Sequence, residues 1–347
     1  MRALKSVFAV FVAAACFAAA VASAQSPATS AAEAERAKQQ QQRQQTQPLN
    51  NQPVWSEVRS GAPQTTTVVG RETNILIQPQ GQTWRTLRNG EISIYGGWGL
   101  VLVLLAIAAV YWRKGTVELH EPLTGRKIRR FSPWERAIHW AVAISFSILA
   151  ISGLIILFGK NLLLPLIGYT LFSWLAILSK NLHNFVGPLF IVCLFLFVAT
   201  FIRNMFPKSY DVAWLVKLGG LFSAKEVPAG KFNAGQKLWF WGGALFLGAI
   251  LAGSGLVLDF ANFNQTRSTM QTANVVHVIA ATLFMMAGLG HIYLGTIGVG
   301  GAYESMRYGY VDETWAKEHH EYWYNDIKAG RIPADEVVEP PLTERVA

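Results

Sequence analysis

With 347 residues, 52% of them apolar and only 15% charged, the chain falls well short of the quarter or so of charged residues in a soluble domain. The deficit is concentrated in long apolar runs, the pattern of a multi-span membrane protein. Only Cys16 and Cys193 are present, both within apolar segments, and Cys-x-x-Cys-His is absent. That excludes a disulfide framework, a thiolate metal site and covalent haem attachment.

Taken in chain order, residues 1–24 read as a secretory signal. Arg2 and Lys5 precede an apolar stretch from Val7 to Val21, and Ala22-Ser23-Ala24 supplies small residues for cleavage. Residues 25–93 read as a periplasmic segment: a flexible Gln-rich tether to Gln52, then a mixed, extended stretch from Trp55 to Asn89. An additional transmembrane helix at 94–112 follows, then a linker at 113–131, a core at 132–300 and a C-terminal tail at 301–347. The five expected spans are Ile94–Trp112, Ile138–Phe158, Leu182–Ile202, Leu238–Leu258 and Val275–Val299. Each carries about the 20 apolar residues that cross a bilayer. The run Leu162–Leu178 contains Pro165 and Gly168 and lies close to both neighbours, so it reads as a re-entrant or interfacial helix on the outer side.

Charge orients these spans. Arg113, Lys114, Arg126, Lys127, Arg129, Arg130 and Arg136 separate the first two, and Arg203, Lys208, Lys217, Lys225, Lys231 and Lys237 separate the third and fourth. The opposite loops hold Lys160, Lys180 and Arg267. The positive-inside rule makes the dense loops cytoplasmic, the mature N-terminus periplasmic and the tail cytoplasmic. It also accounts for the net charge of +9 without nucleic acid.

Four of the seven histidines fall in or at the edge of spans, where ionisable groups are costly and usually functional. His277 and His291 share the last span, 14 residues apart, so they project from nearly one face about 21 Å apart along the axis. His139 begins the second span on the cytoplasmic side, at the depth of His291, and His183 begins the third on the outer side, at the depth of His277. Two bis-histidine haems stacked across a helical bundle need this arrangement. The predicted fold is therefore all-α and integral to the membrane, a four-helix dihaem cytochrome b bundle plus one N-terminal transmembrane helix. Gly153, Gly187, Gly288, Gly290 and Gly295 suit either a flat macrocycle or close helix packing. His120 and the adjacent His319 and His320 read as solvated or capping residues.

The loop KFNAGQKLWFW, Lys231 to Trp241, offers Asn233 and Gln236 to quinone carbonyls and Lys237 for proton delivery. Asn233 with Gln236 three residues on is also a capping-box pattern, and the two roles are compatible.

The segments SPWERAIHW (Ser132–Trp140), NLHNFVGPLF (Asn181–Phe190), KFNAGQKLWFW, VVHVIAA (Val275–Ala281), GHIYLG (Gly290–Gly295) and WAKEHHEYWY (Trp315–Tyr324) resemble the gamma, or cytochrome b, subunit of respiratory formate dehydrogenases. The resemblance implies two b-type haems, the outer on His183 and His277 and the inner on His139 and His291, with Asn233 and Gln236 beside a menaquinone or ubiquinone. It implies an iron–sulfur beta subunit as electron donor, a molybdenum- or tungsten-containing alpha subunit that oxidises formate, and a multi-pass location in a bacterial inner membrane among its lipids. The signal peptide, tether and extra span depart from the shorter members. Two other readings stay open: a cytochrome b serving a nickel–iron hydrogenase or another periplasmic oxidoreductase, and a haem-free anchor or transporter using the histidines as proton relays.

Overall fold

The computed structural model describes residues 34–39, 41–42, 52–61, 80–220, 227–332 and 337–338. The expected signal peptide at 1–24 lies outside them. The chain divides into two units, Met1–Pro79 and Gln80–Ala347. In the first, the described residues are chiefly helical, including Gln52–Ser60, where the sequence reads as tether and extended chain.

Among its described residues the second unit contains five helices long and apolar enough to cross a membrane: α1 Gln80–Lys114, α2 Pro133–Leu162, α3 Leu164–Asn204, α5 Ala234–Asp259 and α6 Arg267–Gly298. Between α3 and α5 lies the short α4, Ser209–Val216. Helix α1 begins well before residue 94, because the polar stretch from Gln80 continues through a π-helical turn, Arg88–Ile92, into the apolar segment. It ends at Gly115, whose φ of 70° leaves the helical region. No residue of its apolar part is buried. Helix α1 is a peripheral helix laid parallel to α6, with Gly99 against the end of the Met286 side chain.

Helix α2 starts at a capping box. Ser132 Oγ accepts from Glu135 N at 3.2 Å, Glu135 Oε2 accepts from Ser132 N at 2.8 Å, and Pro133 occupies the first turn. At 30 residues it runs about 45 Å, longer than the roughly 30 Å hydrocarbon core. The run Leu162–Leu178 is not a separate re-entrant helix. The chain reverses between Leu162 and Gly168, whose φ of 74° breaks the helix, and from Tyr169 onward the run forms the first turns of α3. The connection looked too short to serve two reversals because it serves only one.

At the other end, the linker and the tail build a cap. Strand β1, Lys127–Arg129, pairs antiparallel with β2, Tyr310–Asp312, and with β3, Val337–Val338, so Ile128 lies opposite Val311. Helices α7 (Ala302–Tyr308), α8 (Glu313–His319) and α9 (Glu321–Lys328) complete it. Ile128, Val311, Trp315, Ala316, Trp323 and Ile327 form its apolar core. Asp312 ties the parts together, capping α8 through Thr314 N at 2.9 Å and accepting from Gly125 N at 2.8 Å.

Candidate functional site: two histidine pairs and a capped loop

The four intramembrane histidines meet in the two expected pairs. The ring centroids of His183 and His277 are 6.1 Å apart and those of His139 and His291 are 6.3 Å apart. The His183–His277 pair lies toward the α2–α3 reversal, and the His139–His291 pair lies against the cap.

Each separation can be tested against a shared metal. Two metal–nitrogen bonds of about 2 Å laid end to end, with a ring radius at each end, come to about 6 Å. Both pairs fit a bis-imidazole iron. The ring of His183 is oriented by Ser152 Oγ, 2.9 Å from Nδ1, and that of His277 by Ser254 Oγ, 3.0 Å from Nδ1. Those contacts engage Nδ1 of each ring and leave Nε2 as the nitrogen that could hold a metal. Gly153 lies beside His183, as the 14-residue spacing from His139 predicts; a β-carbon there would stand 3.2 Å from His183 Cε1. At Gly187 and Gly290, one turn after His183 and next to His291, a β-carbon would meet nothing within 4 Å, so a flat ring has room there. Ser254 also lines an open groove between α5 and α6, together with Thr269, Thr272, Ala273 and Val276.

Between the pairs the bundle is packed with aromatic rings. Phe284 lies seven residues from both His277 and His291, and its ring centroid is 4.8 Å from that of Phe146 and 5.0 Å from that of Trp239. Trp239 stacks on His291 at 5.4 Å with the planes 17° apart. It begins a π-helical stretch of α5, Trp239–Leu247, the kind of local widening often found at functional sites.

The loop before α5 is held from three sides. Arg130 Nη2 donates to Lys231 O at 2.9 Å, His320 Nδ1 donates to Gly230 O at 2.6 Å, and Lys231 Nζ lies 3.6 Å from Glu135 Oε1. The capping box is present: Asn233 Oδ1 accepts from Gln236 N at 2.9 Å, and Gln236 Oε1 from Asn233 N at 3.0 Å. Lys237 forms a buried ion pair with Asp211 at 2.7 Å.

His320 is not a solvated residue. It is 2% exposed and packs on Trp315 at 5.0 Å. Burial first, and then Arg130, hold its imidazole well below the usual value, so it is neutral and donates from Nδ1. Arg130, also buried, lies over Phe131 and Trp315, each at 4.9 Å, and burial lowers its guanidinium while Glu135 opposes the shift. Neither residue stands out in the sequence by itself. The four-residue spacing of Trp315, Trp323 and Ile327 with His319 between them was the available sign that one face of the tail is buried.

Residues 130–308, just over half of the chain, match the prokaryotic cytochrome b561 family. The chain belongs to that family. It is a multi-pass membrane cytochrome b with an electron-transfer role, and b-type haem is the family's cofactor. It is homologous to formate dehydrogenase cytochrome b556 subunits. It is 31% identical over 206 residues to one from Escherichia coli strain K12, a match covering 58% of this chain and 93% of the relative. The nitrate-inducible formate dehydrogenase cytochrome b556 subunit of the same strain is 29% identical over 206 residues, covering 56% and 88%. The Haemophilus influenzae formate dehydrogenase cytochrome b556 subunit is 24% identical over 221 residues, covering 60% and 87%. Helix α1 lies before the residues that match the family.

Proposed function

We propose that this cytochrome is the dihaem subunit of a membrane-bound formate dehydrogenase, passing electrons from a periplasmic iron–sulfur subunit to a quinone reduced near the cytoplasmic face. The observation that carries this reading is the pair of His–His separations, 6.1 and 6.3 Å, in a chain homologous to formate dehydrogenase cytochrome subunits. His183 and His277 would hold the outer haem and His139 and His291 the inner one. A haem held by two histidines would supply one-electron transfer there.

The chain's own residues do the rest. Phe146, Phe284 and Trp239 fill the space between the pairs and exclude water from it. The cap end carries the linker and the loops bearing Arg113, Lys114, Arg126, Arg130, Arg203, Lys208 and Lys231, and the reversal end carries Lys160 and Lys180. That asymmetry supports a cytoplasmic cap in the inner membrane. Asn233 and Gln236 commit their side-chain oxygens to the capping box, so their amide nitrogens would be the donors to quinone carbonyls. The loop that carries them is held rigid by Arg130 and His320.

Difference spectra of membranes reduced with formate, with and without a quinone-site inhibitor, test this. A low-spin b-type spectrum that formate produces and the inhibitor keeps reduced is the expected result. Absence of a b-type spectrum would overturn the cytochrome role, and reduction by hydrogen but not formate would overturn the partner assignment.

A further inference from the structure

We infer that Ser152 and Ser254 are positioning residues for the outer pair, each fixing one histidine's tautomer and together lowering the reduction potential of the haem that pair holds. The inference rests on the haem assignment above.

Each serine bonds a histidine on a neighbouring helix, Ser152 of α2 to His183 of α3 and Ser254 of α5 to His277 of α6. Both hydroxyls have already committed their proton one turn back, Ser152 Oγ to Ile148 O at 2.7 Å and Ser254 Oγ to Ile250 O at 2.6 Å. Each oxygen therefore has lone pairs to offer, and with the backbone acceptors of Leu149 beside His183 and Leu251 beside His277 it favours an imidazole that donates from Nδ1. The proton is thus held on Nδ1, and Nε2 of each ring is left with the lone pair an iron requires.

Both serines are followed by a glycine. Gly153 clears His183 Cε1, and at Gly255 a β-carbon would stand 3.4 Å from His277 Cε1. The same two-residue device occurs on two helices and serves the two members of one pair. Ser145 shows what a purely structural serine looks like here. It lies on α2, is 3% exposed like Ser152, and bonds Ala141 O at 2.7 Å, with no hydrogen bond to a histidine among the described residues.

The inner pair is built differently. His139 Nδ1 is buried with no hydrogen-bond partner among the described residues, and His291 is held by the face of Trp239. An acceptor on the far nitrogen of a ligating imidazole makes it more basic and favours the oxidised metal. The outer haem is thus biased toward giving its electron up, and the inner haem lacks that bias on His139.

The test uses Ser152→Ala and Ser254→Ala in the intact membrane complex, with Ser145→Ala as control, read by potentiometric titration and by low-temperature electron paramagnetic resonance. Each of the first two should make one haem easier to reduce by about tenfold, about 59 mV for a one-electron couple, and change that haem's low-spin ferric signal. The second haem, and both haems in Ser145→Ala, should be unchanged. Two haems with unmoved potentials in Ser152→Ala and Ser254→Ala would overturn this inference alone, as would an equal shift in Ser145→Ala. A wild-type complex lacking two low-spin b-type haems would overturn the haem assignment and this inference with it.

Discussion

The two ends of the bundle place a histidine pair at nearly the same separation by different means. At the reversal end, His183 and His277 are each held through Nδ1 by a serine on an adjoining helix. At the cap end, His291 lies under Trp239 and His139 next to Trp140, and a small folded cap covers the helix ends. Hydrogen bonds set a ring's tautomer as well as its direction, whereas stacking sets its direction alone. The reversal end is therefore expected to depend on single hydroxyls, and the cap end on packing and on the state of the cap.

The largest effect that would break this comparison is removal of a ligand. His277→Ala should stop formate from reducing either haem. His291→Ala should leave the outer haem reducible by formate while abolishing quinol formation. Formate-reduced spectra read both, and equal reduction of two haems in His291→Ala would contradict the pairing.

Trp239→Ala comes next. It removes a half-buried ring stacked on His291 and should destabilise the cap-end pair by about 2 to 3 kcal/mol, less than the deletion of a fully buried Trp. Thermal bleaching followed separately for the two haems should move for the inner one only.

The cap should loosen on acidification. His320 is neutral in the fold and its value is depressed by burial, so the unfolded cap binds the extra proton first. Its contribution to stability is complete above about pH 6.5 and is lost as pH falls below that. Glu313 is held low chiefly by the hydrogen bond from Lys328, so it adds a second loss only below about pH 4.5. Protection factors in residues 227–237, corrected for the intrinsic pH dependence of amide exchange, should fall between pH 7.5 and 5.5, and protection unchanged over that interval would count against the buried His320. The smallest effect is expected for Asp312→Ala, which removes the α8 cap and should cost about 1 to 2 kcal/mol, visible as faster exchange in β1 and β2 with both haem spectra intact.

Most of the bundle was legible because membrane spans are written in long apolar runs and histidine depth follows from helix rise. The 14 residues between His277 and His291 determined which histidines could meet. What was misread turned on local backbone or on tertiary burial. Gly168 and Pro165 look like the edges of a separate helix, and only the positive φ at Gly168 shows that the chain turns once there and then enters α3. The stretch from Gln80 to Ile92 hides the start of α1, since only Trp84, Leu87 and Ile92 in it are large and apolar. The four-residue spacing of the tail falls on His319 and not on His320, which sits between two short helices, and its burial comes from Trp315, Trp323 and the loop at Gly230. Ser152 and Ser254 escaped notice because serine in an apolar helix ordinarily satisfies itself by bonding one turn back. The repeated Ser-Gly doublet was their only sign.

The most direct test is a redox titration of the purified cytochrome followed in the haem α-band. The account predicts two one-electron steps from two low-spin b-type haems, with the lower-potential step lost in His183→Ala and the higher retained. A single step, or loss of the same haem in His183→Ala and His139→Ala, would contradict two pairs at opposite ends of the bundle.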